Sequence, residues 1–283
     1  MSLSVPSDLT TNARRSYAGV PADILNGIQT ASARTGVDFS YLLAQAKLES
    51  GYDANAKAAT SSAKGLYQFI EQTWLKMVKD HGAEHGVGDL ADRITQTPDG
   101  RMKVADTATR KQILDLRNDP ALSSLMGAEF ASDNKAYLEQ RLARPVNSTD
   151  LYMAHFLGAG GASRFLSALE RAPSASAAAL MPEAAAANRN VFYDKAGNPR
   201  SVKDIYARFA NKLEAAGATA SAVITAQAEA TADTVAGIGR QIGQGLASVA
   251  GSISRAFGPG LSADTVLALA ALPMPGEKAD AKP

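Results

Sequence analysis

Glu49 is the residue whose position most invites chemistry. Leu42, Ala46 and Glu49 fall at i, i+4 and i+7, so the carboxyl shares the apolar stripe of a helix. A carboxyl held against apolar surface loses hydration, its pKa rises, and it becomes a general acid that can work near neutral pH. Without further context the same residue reads as a frayed last turn pointing at water. Two other carboxylates compete for a partner role. Asp53 lies four residues on, across Gly51, and reads as an exposed loop residue; Glu71 lies three beyond Gln68, near the same helix face, and is the weaker contender. A second constellation, His81-Gly82-Ala83-Glu84-His85, matches the H-x-x-E-H pattern of a zinc peptidase class. That chemistry needs both histidines on one face of a stable helix and a third ligand downstream. Gly82, Gly86 and Gly88 argue against such a helix, and the only other histidine is His155. The expectation is a solvated glycine-rich loop and no metal site. Gly158-Ala159-Gly160-Gly161 follows a helical pattern and has no Lys-Ser/Thr pair after it, so it reads as a close turn between packed helices rather than a phosphate cradle.

Four short segments give Glu49 a context. Leu48-Glu49-Ser50-Gly51-Tyr52 is followed by Gly65-Leu66-Tyr67-Gln68-Phe69, then by Asp119-Pro120 leading into Leu122 to Phe130, then by Ala154-His155-Phe156-Leu157-Gly158. In order and spacing this set resembles the soluble lytic transglycosylase family, over about residues 20–170. The departures are Tyr67 where the family has Met, His155 where it has Tyr, and Phe156 in place of an amide. The resemblance implies a lysozyme-like fold and cleavage of the β-1,4 bond between N-acetylmuramic acid and N-acetylglucosamine without water. In that chemistry the substrate's N-acetyl oxygen assists departure of the next sugar. Glu49 protonates the glycosidic oxygen and then takes the proton of the sugar's own 6-hydroxyl, which closes a 1,6-anhydro ring. One carboxyl suffices, whereas ordinary glycosidases need two. The resemblance further implies substrate-binding roles for Ser50, Gly65, Tyr67, Gln68, His155 and Phe156. It also implies a late tyrosine touching the acid, for which Tyr193 is the candidate. Tyr152 and Trp74 also offer sugar-stacking faces, although Trp74 and Ile70 read better as core. No metal or organic cofactor is implied. Two alternatives stay open: a hydrolytic muramidase of lysozyme type, and a catalytically weak peptidoglycan-binding or scaffold protein.

The elements that must position these residues read as mainly α. Ala22 to Thr35 carries apolar residues at helical spacing and stops at Gly36; Asp38 is the N-cap of a second helix through Glu49, closed by Gly51. A third helix starts from about Tyr67, with Tyr67, Ile70, Trp74, Met77 and Val78 on one face. Others are expected over Ala105–Leu116, Leu122–Arg141, Thr149–Phe156 and from Ala162, and no run of period-two strands is apparent. Residues 18–172 are therefore expected as the lysozyme-like domain. Eight of the fourteen residues from Ser174 to Ala187 are alanine, so 173–187 reads as an alanine-rich linker or a weakly specified helix. Residues 188–213 read as a helical segment packing on or near the domain. Residues 214–283 read as a low-complexity Ala/Gly-rich tail, partly disordered or helical, with Val235–Phe257 the best helical stretch.

Composition narrows the function classes. With 283 residues, 46% of them hydrophobic and 20% charged, most of the chain can fold around a core. The net charge of +1 gives no basic footprint for nucleic acid. The absence of cysteine excludes disulfides, thiolate metal sites and thiol nucleophiles. The first twenty residues lack the apolar run of a signal peptide, and Val266–Leu272, the longest late apolar run, is too short to span a bilayer. The expected partner is the glycan strand of peptidoglycan, with an envelope-machinery partner for the tail. That substrate implies a periplasmic or envelope location, although no signal peptide is visible in the chain.

Overall fold

A computed structural model describes residues 19–218 and, beyond them, 221–223, 225, 226, 229 and 237. The described residues up to Thr225 belong to one compact unit, and they are mainly helical. Both early helices form as their patterns predict. Helix α1 (Ala22–Thr35) ends in a left-handed Gly36. Helix α2 (Phe39–Ser50) starts where the Asp38 side chain accepts a hydrogen bond from the Tyr41 amide and ends at Gly51, φ 63°. The third helix, α3 (Glu71–His81), begins later than expected. Tyr67 and Gln68 belong to the turn before it, and Ile70, expected in the core, is 47% exposed at its N-cap. Trp74 is fully buried on the inner face, its indole N–H donating to the Ile113 carbonyl at 2.7 Å.

A short α4 (Gly88–Ala91) leads into a hairpin that the period-two test did not reveal, β1 (Ile94–Gln96) against β2 (Met102–Val104), antiparallel with Ile94 opposite Val104. The Gln72 side chain docks this hairpin on α3, donating to the Met102 carbonyl at 3.2 Å and accepting from its amide at 2.8 Å. Helix α5 (Thr107–Asp115) and a single 3-10 turn (Leu116–Asn118) follow. Asp119 then caps α6 (Pro120–Leu142), with Pro120 at the first helical position where its missing N–H costs nothing.

Helix α7 (Ser148–Arg171) contains the two helical segments expected, joined at Gly158. The break between them is a kink, at a φ of 70° and ψ of 159° that only glycine adopts readily. Its start is anchored by the fully buried Asp150 carboxylate, which takes the Arg144 guanidinium at 2.7 Å and the Tyr206 hydroxyl at 2.9 Å. Within residues 173–187, expected as a linker or a weakly specified helix, two short helices form, α8 (Ala177–Leu180) and α9 (Pro182–Ala187). Ala177, Ala178, Met181 and Ala185 are buried there: the small side chains let these short helices lie close against α7. Helix α10 (Arg189–Phe192) and a helix over residues 202–218, α11, complete the unit. Leu213, Ala216 and Val223 are buried in the main core, so order extends into the segment expected to open the tail. Beyond Val223 only residues 225, 226, 229 and 237 are described, so all of Val235–Phe257 except Gly237 lies outside the described residues.

Two apolar clusters result. One gathers α1, α2, α3, α5 and the first half of α6 around Trp74 and Tyr67; the other gathers the end of α6, α7 and α8 to α11 around Phe165 and Phe192. Each fully buried Leu or Phe contributes about 1.5–3 kcal/mol of transfer free energy. Helix α7 belongs to both, with Tyr152 in the first and Met153 and Ala154 in the second. The next residue, His155, therefore emerges where the two cores meet. Among the described residues no helix is long and apolar enough to cross a membrane.

Candidate functional site

Glu49 lies in the last turn of α2 with its side chain 19% exposed, neither frayed into water nor sealed off. The His155 Nε2 stands 3.3 Å from its Oε1. The other ring nitrogen, Nδ1, is 2.9 Å from the amide nitrogen of Gln45, one helical turn before Glu49. The buried amide and the imidazole, paired in this way, fix the orientation of the ring beside the carboxyl. Gln45 is 2% exposed, and its carbonyl oxygen is buried without a partner. Sequence reasoning missed Gln45. The available signal was a polar residue at i−4 from Glu49 on the same apolar stripe.

Tyrosines complete the surroundings. The Tyr152 ring stacks on His155, centroids 6.3 Å apart, and Phe130 meets the same imidazole edge-on at 6.1 Å. Burial first, and then the nearby Glu49 charge, push the Tyr152 phenol well above its ordinary pKa; Tyr41 is raised by burial, by Tyr67 and by Glu49. Both hydroxyls therefore stay protonated beside the carboxyl. Lys212 of α11 donates to the Tyr152 hydroxyl at 3.2 Å. Tyr152 thus sits beside the acid, 5% exposed, and offers no open face for sugar stacking.

The remaining residues expected to bind substrate have partners within the chain. The Ser50 hydroxyl donates back to the Ala46 carbonyl at 3.1 Å. Tyr67 is fully buried and donates to the Leu42 carbonyl at 3.2 Å, so its ring cannot stack on sugar. Gln68, at φ 50°, gives its amide protons to the carbonyls of Ala56 and Gly65. Gly65, at φ 83°, is required by a different neighbour from the one expected: a Cβ there would lie 2.0 Å from the Arg117 carbonyl oxygen. The buried Arg117 in turn donates to the carbonyls of Leu114, Ser62 and Phe69, tying the loop before α3 to the end of α5. Phe156 is half-buried in the second cluster against Phe209 and Phe192, and Tyr193 lies in the same cluster under the Arg189 guanidinium. The tyrosines that feel the Glu49 charge are Tyr41 and Tyr152.

The two rival carboxylates are engaged elsewhere. Asp53 is exposed and accepts from the Asn55 amide, and Glu71 holds Arg110 at 2.6 Å. The H-x-x-E-H segment is not the solvated loop expected of it. His81 is the last residue of α3, the His85 side chain is only 4% exposed, and both histidines meet carboxylates of α6. A cleft of about 560 Å³ opens between α3, the hairpin, α6 and the Gly158 kink. Phe130 forms part of its wall and touches His155, so the cleft and the Glu49–His155 pair share that wall. No model of a known protein family matches the chain.

Proposed function

We propose that the protein is a peptidoglycan lytic transglycosylase with a lysozyme-like domain, in which Glu49 acts first as acid and then as base. The observation that carries this reading is the pairing of one largely buried carboxyl with an imidazole. The His155 ring stands 3.3 Å from Glu49, and the two carboxylates that could have served as nucleophile or base have other partners. The ordered resemblance of the four segments to soluble lytic transglycosylases supports the same conclusion.

The steps balance without a metal or a bound water. Protonated Glu49 gives its proton to the glycosidic oxygen, and the bond from that oxygen to the anomeric carbon of N-acetylmuramic acid breaks. The N-acetyl oxygen of the same sugar bonds to the anomeric carbon and spreads the charge. Glu49, now a carboxylate, takes the 6-hydroxyl proton, and the freed oxygen displaces the N-acetyl oxygen to close the anhydro ring. Glu49 ends protonated, ready for the next strand. A hydrogen bond from the nearby His155 imidazole to the carboxylate, about twice as strong as one to the neutral form, would help most when the charge appears. The substrate puts the working location in the cell envelope.

Digestion of purified peptidoglycan tests the reading. The unaltered chain releases anhydro-ended muropeptides, each one water lighter than its reducing-end counterpart, and Glu49→Gln reduces the rate by about 100-fold or more. Reducing-end products would make it a muramidase, and no products would move it to a binding role.

A further inference from the structure

We propose that His81, Glu84 and Glu129 bind a divalent transition-metal ion, zinc being the best match, at a site that joins the end of α3 to α6. Each of the three offers one ligand atom, and these atoms all lie within 4.8 Å of one another. A nitrogen and two carboxylate oxygens suit zinc, whose four ligands at about 2.0–2.2 Å stand about 3.4 Å apart. His81 Nδ1 and Glu129 Oε2 already face each other at 3.7 Å, too far for a hydrogen bond and close to that spacing. Glu84 is exposed on the turn after α3, with a carboxylate oxygen already within 4.8 Å of the other two ligand atoms.

The groups around these three make the cluster more than a chance gathering of acids. A histidine that binds metal through one nitrogen nearly always donates its other N–H to a carboxylate or carbonyl. His81 does so, its Nε2 standing 3.0 Å from Asp133. Glu129 is held in the same way: His85 Nε2 meets its Oε1 at 2.8 Å from an almost fully buried position, which leaves Oε2 directed at His81. Both supporting partners thus occupy the outer atoms of the first two ligands and leave the inner atoms open. Glu129 also precedes Phe130, which packs edge-on against Phe69 and His155, and Asp133 lines the cleft. A bound ion therefore fixes one wall of the cleft without touching the reacting carboxyl, and the site does not depend on the proposed activity.

The test uses the full chain, stripped with a chelator, dialysed and titrated with zinc alone by calorimetry and thermal melting. One ion is taken up per chain, the melting temperature rises, and magnesium, which prefers all-oxygen sites, does not reproduce the rise. His81→Ala abolishes uptake, and Asp133→Asn, which removes only the partner of the second ring nitrogen, weakens it by about 10-fold or more. Because the chain has three histidines, His155→Ala completes the assignment by leaving zinc uptake unchanged. Cobalt bound to the unaltered chain gives the intense visible bands of a four-coordinate ion, a reading that needs no variant to fold. No zinc uptake, uptake insensitive to His81→Ala, loss of uptake in His155→Ala, or the pale spectrum of hydrated cobalt would each overturn the proposal.

Discussion

The ring beside Glu49 is an imidazole, which can donate a hydrogen bond as a phenol does. Gln45 holds that ring in place. Replacing His155 with Tyr keeps a donor, so under the proposed mechanism His155→Tyr is expected to retain activity that His155→Phe loses. Equal activities of the two variants would contradict a donor role for the ring. Gln45→Leu removes the partner of Nδ1 and loosens the ring, so kcat falls by about 10-fold with KM little changed. Glu49 and His155 were legible in the sequence because each sits in a short segment of recognisable spacing. Gln45 was not, since one amide on a helical stripe has no spacing of its own to read. Tyr67 and Gly65 were legible as special positions but for the wrong partner, because nothing in the local sequence announces that Arg117, some fifty residues later, packs on that turn.

At the scale of elements, two glycines separate backbone strain from steric overlap. A Cβ on Gly158 meets nothing within 4 Å, so Gly158→Ala costs only the conformation, about 1–3 kcal/mol. A Cβ on Gly65 overlaps the Arg117 carbonyl as well, so Gly65→Ala is expected to cost more than Gly158→Ala and to loosen the loop before α3. Urea unfolding of the two variants orders them; equal costs would contradict the described packing. Helices with strong period and clear caps, α1 and α2, could be read almost residue by residue. The hairpin could not, because two strands of three residues are too short to show a period of two. Nor could α8 and α9: an alanine-rich run looks the same whether it is a loose linker or a close-packed helix, and only the neighbouring α7 decides.

Across the whole molecule the buried tyrosines dictate how stability responds to alkali. Tyr41, Tyr52, Tyr67 and Tyr152 all lie in the main core, and burial pushes each phenol up, Tyr52 to about 12 and the others further. An unfolded tyrosine releases its proton near pH 10, so above that pH the folded chain holds more protons than the unfolded one. Stability is thus full below about pH 10 and falls as pH rises, by about 1.4 kcal/mol per unit for each such tyrosine. Urea midpoints between about pH 9 and about pH 11 check the sign; a midpoint that rises through this range would contradict it. The mainly helical class and the place of the main core were legible from periodicity. The extent of the folded unit was not, because α11 continues past the point where composition turns to small residues. The proposed activity also belongs to the assembled molecule, since Glu49 and His155 come from helices more than a hundred residues apart. The most direct test of the central claim is therefore to digest peptidoglycan in heavy-oxygen water and weigh the muropeptides. The single-carboxyl mechanism predicts anhydro ends that carry no heavy oxygen, whereas heavy oxygen at the anomeric carbon of reducing ends would contradict it.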